Sequence, residues 1–318
     1  MALKGKMLRP GDTIALVSPA SPVHPDAHVT MEMLELARNR LHDMGFRTVL
    51  SPNALKLRGY LAGEDRERAA DLMWAFENPD VDAIVCIQGG YGSPRILPLL
   101  DYGTIARHPK VFVGYSDITA IHCALAKLTG LITFHGPMAG FDMSKEFVYT
   151  REWFERAVAR PEPLGELRNP PEGPSLETIC PGRVTAPIIG GNLSLVVTTL
   201  GTPYEVDTTG KILLLEDVGE LPYRFDRMLT HLKLAGKLDA AAGFIIAECV
   251  DCVPGNTKRP MLTLREIIGD LIEPLGKPAI YGLAAGHGER RLTIPLGVRT
   301  TLDASNCSVI VEESGVEP

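Results

Sequence analysis

Short apolar runs of strand length alternate with amphipathic stretches along most of this chain. That alternation constrains the fold more than any other feature. Thr13–Ser18 reads as a strand, after which Met33, Leu34, Ala37, Leu41 and Met44 recur at helical spacing until Gly45 closes the pattern. Phe46–Leu50 reads as a second strand. A helix over 64–77 follows, with Ala69, Leu72, Met73 and Phe76 on one side and Asn78-Pro79 as its stop. Val81–Ile87, Val111–Val113 and Leu131–Phe134 continue the strand series. Strands separated in this way run parallel with right-handed crossovers, so the pattern predicts an α/β fold on a parallel sheet.

Ligands of such sheets bind beyond the carboxyl ends of the strands. Three loops of unusual composition fall on that edge: Ser18–Pro22, Gln88–Gly92 and Gly114–Asp117. In the third, Ser116 stands between the strand and a helix predicted to begin at Asp117, with Ile118, Ile121, Ala124, Leu125 and Leu128 as its apolar face. A serine on a sharp strand-to-helix turn exposes its hydroxyl near helix amides that can hold an oxyanion. G-x-S-D nevertheless lacks the second glycine of a G-x-S-x-G elbow. A helix cap is the competing role for the same side chain. Gln88-Gly-Gly-Tyr-Gly92 can turn successive N–H groups toward an anion or simply form a tight turn; it has no P-loop ending.

Seven prolines break the pattern between Arg160 and Pro187, which predicts an extended connection. The alternation then resumes. Ile188-Ile-Gly-Gly-Asn192 leads into a helix, Lys211–Leu215 is a strand ending in Glu216-Asp-Val-Gly-Glu220, and Pro222–Ala235 is a helix. Gly243–Ala247 is a strand, a helix lies around Leu264–Ile272, and Ala279–Tyr281 leads to Gly282-Leu-Ala-Ala-Gly-His-Gly288. Leu292–Ile294, Val298–Leu302 and Ser308–Val311 read as short β segments. With 318 residues available, the expected organisation is a domain over 1–160, a connection over 161–187 and a smaller α/β domain over 188–318.

A net charge of −7 leaves no basic surplus to neutralise phosphates, which argues against a nucleic-acid binder. The apolar runs are too short to span a membrane. The N-terminal lysines precede no apolar h-region, so no signal peptide is expected and the cytoplasm is the default compartment. Cys249-Val-Asp-Cys252 has no second pair or histidine cluster to complete a zinc site.

A nucleophilic serine needs a base, and the base needs an acid to fix its tautomer. Of the eight histidines, His135 and His287 lie in glycine-bearing loops after strands, and the glycines flanking His287 favour close backbone approach there. For the acid, Glu216 directly follows the apolar run Ile212–Leu215, with Asp217 and Glu220 in the same loop.

Gly89-Gly-Tyr-Gly-Ser93, Gly114-Tyr-Ser-Asp117, Gly190-Gly-Asn-Leu-Ser194, Leu215-Glu-Asp-Val-Gly-Glu220, Arg227-Met-Leu229 and Gly286-His-Gly288 resemble, in order, the motifs of the LD-carboxypeptidase family. These are serine peptidases typified by muramoyl-tetrapeptide carboxypeptidase, with immunity-type relatives that hydrolyse microcin-like aminoacyl nucleotides. The resemblance spans about Pro10 to Ala304. It implies a flavodoxin-like N-terminal domain with a smaller, β-containing C-terminal domain, and a triad of Ser116, Glu216 and His287 divided between them. It further implies an oxyanion hole from the N–H groups of Gly90 and Asp117, no metal or organic cofactor, a small peptide substrate such as murein tetrapeptide, and a homodimer. Tyr91, Arg224, Arg290 and Arg291 are the substrate-binding candidates, the arginines as clamps for a terminal carboxylate. One departure is Gln88, where the family often has arginine. A non-catalytic sugar- or nucleotide-binding protein is the alternative from another class.

Overall fold

The computed structural model describes residues 2–255 and 260–318. Strands β1 (Thr13–Val17), β2 (Arg47–Leu50), β3 (Ala83–Cys86), β4 (Val111–Gly114) and β5 (Thr133–His135) form a parallel sheet in the order β2-β1-β3-β4-β5. β3 and β4 are buried along their whole length, which is why they read as continuous apolar runs and not as an alternation. The first crossover helix, Met31–Asp43, starts where the Thr30 hydroxyl accepts from the Met33 N–H. The second, Asp65–Glu77, opens with a reciprocal capping box between Glu64 and Glu67. Helices Ser93–Ile96, Tyr102–Arg107 and Val148–Val158 are absent from the sequence reading. Pro94, Pro98 and Gly103 interrupt any helical period between β3 and β4, so the crossover there is made of short pieces.

Nine further strands follow: β6 (Gly165–Glu166), β7 (Glu177–Cys180), β8 (Arg183–Asn192), β9 (Ile212–Val218), β10 (Gly243–Val250), β11 (Ala279–Leu283), β12 (Ile294–Leu296), β13 (Arg299–Asp303) and β14 (Ser308–Val311). All but β12 build a second sheet in the order β6-β14-β13-β8-β9-β10-β11-β7. Its centre, β8 to β11, is parallel, and its flanks are antiparallel. β6 and β7 come from the proline-rich segment 161–187. The chain there is extended, and its extension serves as strands at the two edges of this sheet.

β12 does something local pattern cannot predict. It leaves the second sheet and pairs antiparallel with β5, placing Ile294 opposite His135. Pro295 is tolerated because this is an edge position. Phe134 of the first sheet, Ile188 of the second and Ile294 of the bridging strand belong to one buried apolar cluster. The two sheets therefore share a core, worth roughly 1.5–3 kcal/mol for each large side chain fully buried. Among the described residues, no helix is long and apolar enough to cross a membrane.

Candidate active site

The turn after β4 is a single 3-10 turn, Ser116–Ile118, followed by the α-helix Thr119–Leu128. The predicted α-helical start at Asp117 thus moves two residues on, and Leu128 at the helix end is exposed. Ser116 has φ of 61°, in the left-handed region that a residue with a Cβ enters at a cost of about 1–2 kcal/mol. Its surroundings hold it there. His122 Nε2–H donates to the Gly114 carbonyl at 2.8 Å, and the Thr133 hydroxyl donates to Nδ1 at 2.8 Å. Because a carbonyl can only accept, this pairing sets the tautomer. Burial pushes the His122 pKa down to about 3, so the ring stays neutral. On the other side, the Asp117 carboxylate accepts from the Ser93 N–H at 2.7 Å, and the Ser93 hydroxyl donates to the Asp117 carbonyl. These bonds strap the serine turn to the glycine loop. Gly89 is where the two meet: a Cβ there would lie 3.0 Å from Ser116 Cβ.

His287 reaches this turn from the second sheet. Its Nε2 lies 2.9 Å from Ser116 Oγ, and its Nδ1 lies 2.7 Å from Glu216 Oε2. A carboxylate can only accept, so Nδ1 carries the proton and Nε2 is left to accept from the serine hydroxyl. Gly286 permits the approach, since a Cβ there would sit 2.3 Å from the Glu248 carbonyl oxygen. Glu216 is fully buried. Burial alone would raise its pKa, but the charge and hydrogen bond of His287, with His135 and Asn192 behind them, outweigh that and hold it below the ordinary value.

Strand alternation separates Glu216 from Asp217 within β9, and Glu220 lies beyond the strand. Glu216 faces His287. Asp217, on the opposite side of β9, accepts from Asn192 Nδ2 at 3.0 Å and from the Ser194 N–H and hydroxyl at 3.0 and 2.8 Å, anchoring the start of helix Leu193–Thr198. Glu220 lies 3.9 Å from Arg224. His135 is also elsewhere: its Nε2–H donates to the Ala285 carbonyl at 2.6 Å, buttressing the loop that carries His287.

A cavity of about 590 Å³ opens over Ser116, walled by Gly89, Gly90, Gln88, Tyr115 and His287, with Leu57, Tyr60 and Phe141 toward its mouth. None of the three candidate arginines lines it. Arg224 is exposed beside the Tyr223 hydroxyl, at 3.2 Å. Arg290 pairs with Glu172 in a separate surface recess. Arg291 is buried, with Asp142 at 2.9 Å. Arg224 and Arg290 have partners outside this cavity, and Arg291 already has a buried counter-charge. Tyr91 stands just outside, edge-on to Tyr60 at 5.3 Å. Gln88 is buried and donates to the Pro22 carbonyl, so it ties the glycine loop to the loop after β1.

The family model described as the LD-carboxypeptidase N-terminal domain matches residues 14–136, and that described as the C-terminal domain matches residues 185–302. The chain belongs to the LD-carboxypeptidase family. It is 38% identical over 97% of its length to the Bacillus subtilis (strain 168) protein "Probable murein peptide carboxypeptidase", covering 94% of that protein. It is 30% identical to the Pseudomonas aeruginosa "Murein tetrapeptide carboxypeptidase", over 92% of this chain and 93% of that one. Among solved structures, apo Microcin C7 self-immunity protein MccF superposes with a TM-score of 0.90 at 26% identity, over 99% of this chain and 100% of that one. The muramoyltetrapeptide carboxypeptidase of Oxalobacter formigenes superposes with a TM-score of 0.81 at 27% identity, over 96% and 100%.

In this LD-carboxypeptidase a further carboxyl, Glu248 on β10, lies against the His287 loop; a Cβ on Gly288 would be 2.5 Å from its Oε2. In the sequence it is one carboxylate at the end of an apolar run, and only the packing of β10 against the His287 loop brings it to the site. Burial, with the Glu216 charge adding and Arg291 opposing, pushes its pKa from 4.5 up to about 7. The folded state therefore holds the proton more tightly than the unfolded state, and stability falls as pH rises through that interval. Glu248→Gln is expected to flatten this slope. After allowance for partial exposure it should add roughly 1–2 kcal/mol near pH 8 and almost nothing below 4.5, read from denaturant midpoints at both ends.

Proposed function

We propose that this protein is a serine carboxypeptidase that cleaves an L,D-peptide bond, releasing the C-terminal D-amino acid of a murein tetrapeptide through an acyl-enzyme. The observation that carries the reading is the continuous hydrogen-bonded line Ser116 Oγ–His287–Glu216, at 2.9 and 2.7 Å. Ser116 Oγ attacks the scissile carbonyl while His287 Nε2 takes its proton. Glu216 fixes the tautomer and stabilises the imidazolium that forms. The Gly90 and Asp117 amides, which flank the serine from the glycine loop and the elbow, receive the oxyanion, each such donor contributing about 3 kcal/mol. His287 then returns the proton to the leaving amine, and a water activated by the same ring hydrolyses the ester.

In this reading residues 1–160 carry the nucleophile, and residues 188–318 carry its base and acid. Activity then depends on the two units being docked, which their shared core favours. A cytoplasmic location, a homodimeric state and a role in peptidoglycan recycling belong to the same reading.

A second substrate class has its own support. MccF structures include one in complex with glutamyl sulfamoyl guanosine, at a TM-score of 0.90, and among the described residues the cavity here has aromatic rings at its mouth and no lysine or arginine in its wall. The test is a parallel assay of the wild-type protein on a murein tetrapeptide and on an aminoacyl sulfamoyl nucleotide. Release of D-alanine as the faster reaction supports the carboxypeptidase; turnover of the nucleotide alone overturns it in favour of the amide hydrolase. His287→Ala is expected to lose about 10⁴-fold in kcat, whereas His135→Ala keeps measurable turnover; the reverse order would transfer the base to His135.

A further inference from the structure

We infer that Arg291 is a positioning residue, a buried clamp that holds the His287 loop of one half of the molecule against the serine-bearing half. The inference rests on the triad reading above. Four contacts converge on this side chain and its own amide. Nη2 donates at 2.8 Å to the carbonyl of Gly288, the residue directly after His287. The same nitrogen lies 2.9 Å from Asp142, and both side chains are almost completely buried. The guanidinium carbon sits 4.0 Å from the centre of the Tyr115 ring, and the Arg291 N–H donates to the Thr150 hydroxyl at 3.1 Å.

The geography gives these contacts their meaning. Gly288 belongs to the loop after β11, whereas Asp142, Tyr115 and Thr150 all belong to the half that carries Ser116. Tyr115 immediately precedes the nucleophile, and its ring meets the His287 ring edge-on at 5.0 Å. One planar cation therefore touches the carbonyl of the residue that follows the base and the ring that walls it. Asp142 is itself held, accepting from the Met138 N–H at 2.8 Å. Its charge offsets that of Arg291, so the clamp adds little net positive charge to oppose the imidazolium. Lysine is a poor substitute, because a point charge cannot bond the carbonyl and lie flat on the ring at once.

The experiment compares wild-type protein, Arg291→Lys, Arg291→Met and the double variant Arg291→Met/Asp142→Leu. The readouts are tetrapeptide kinetics and the rate at which a fluorophosphonate labels Ser116, each normalised to folded protein. Misplacing a catalytic group by about 1 Å lowers turnover about 10²-fold, and that loss in kcat and labelling rate is expected for Arg291→Met, with KM changed less than about threefold. Arg291→Lys should fall between it and wild type. The double variant removes both charges together and leaves no uncompensated ion, so it keeps the question answerable if the single variant does not fold. Wild-type labelling rates in folded variants, or a raised KM with unchanged kcat, would overturn the inference. Absence of labelling in the wild-type protein would instead overturn the triad reading.

Discussion

Replacing Ser116 with alanine is expected to lower D-alanine release from murein tetrapeptide by about 10⁴- to 10⁶-fold in kcat, with KM little changed. The oxygen it removes lies 2.9 Å from His287 Nε2, and no second hydroxyl in the cavity wall shares that contact among the described hydrogen bonds. Retained release in a preparation free of wild-type protein would refute the assignment. The same position also tests the elbow. Since Ser116 has φ of 61°, Ser116→Gly removes both the hydroxyl and the left-handed strain. That variant should be as inactive as the alanine one yet unfold at least as late, with up to about 1 kcal/mol gained. A serine that merely capped the helix would show the opposite: a stability loss of about 1 kcal/mol for alanine, a few tenths for glycine, and no loss of turnover in either.

Glu216→Gln is the second large effect, expected at about 10³- to 10⁴-fold in kcat. The amide is nearly isosteric, so the fully buried site should retain its packing. What changes is the pairing with His287. An amide NH₂ presented to Nδ1 favours the wrong tautomer, and a neutral side chain no longer stabilises the imidazolium. Asp217→Asn is the internal comparison, because that carboxylate binds Asn192 and Ser194 on the other face of β9. Its replacement should lower thermal stability more than kcat; equal kinetic losses at the two positions would blur the assignment of Glu216 as the acid.

Much of the site could be read in advance because its parts are local. Apolar runs bounded by glycine-rich turns give strand ends, and strand ends give the functional edge of a parallel sheet. Ser116, the Gln88–Gly92 loop and His287 each follow such an end, Glu216 follows the apolar run inside β9, and the order of their motifs carried the family resemblance. The three arginines illustrate the limit. As residues they were equivalent cations near motifs, and only the packing separated two surface residues, Arg224 and Arg290, from a buried one, Arg291.

Local spacing also identified short β segments near the C-terminus, but not that β12 would cross to β5. A three-residue strand with a proline carries no information about its partner. The same reasoning covers Glu216 and Asp217. They are chemically alike neighbours, and the register of β9 against β8, with Glu216 opposite Asn192, turns one to His287 and the other to a helix start. Periods of two and 3.6 residues are properties of neighbouring residues, so local sequence order alone establishes the α/β alternation and the loops where chemistry could occur. The bond between Ser116 and His287 joins residues 171 apart, and the hold of Arg291 on Asp142 likewise spans the two halves. Contacts at that separation exist only once two sheets share a core, so the folded packing is what brings His287 and Glu216, rather than His135 and Asp217, into line with Ser116.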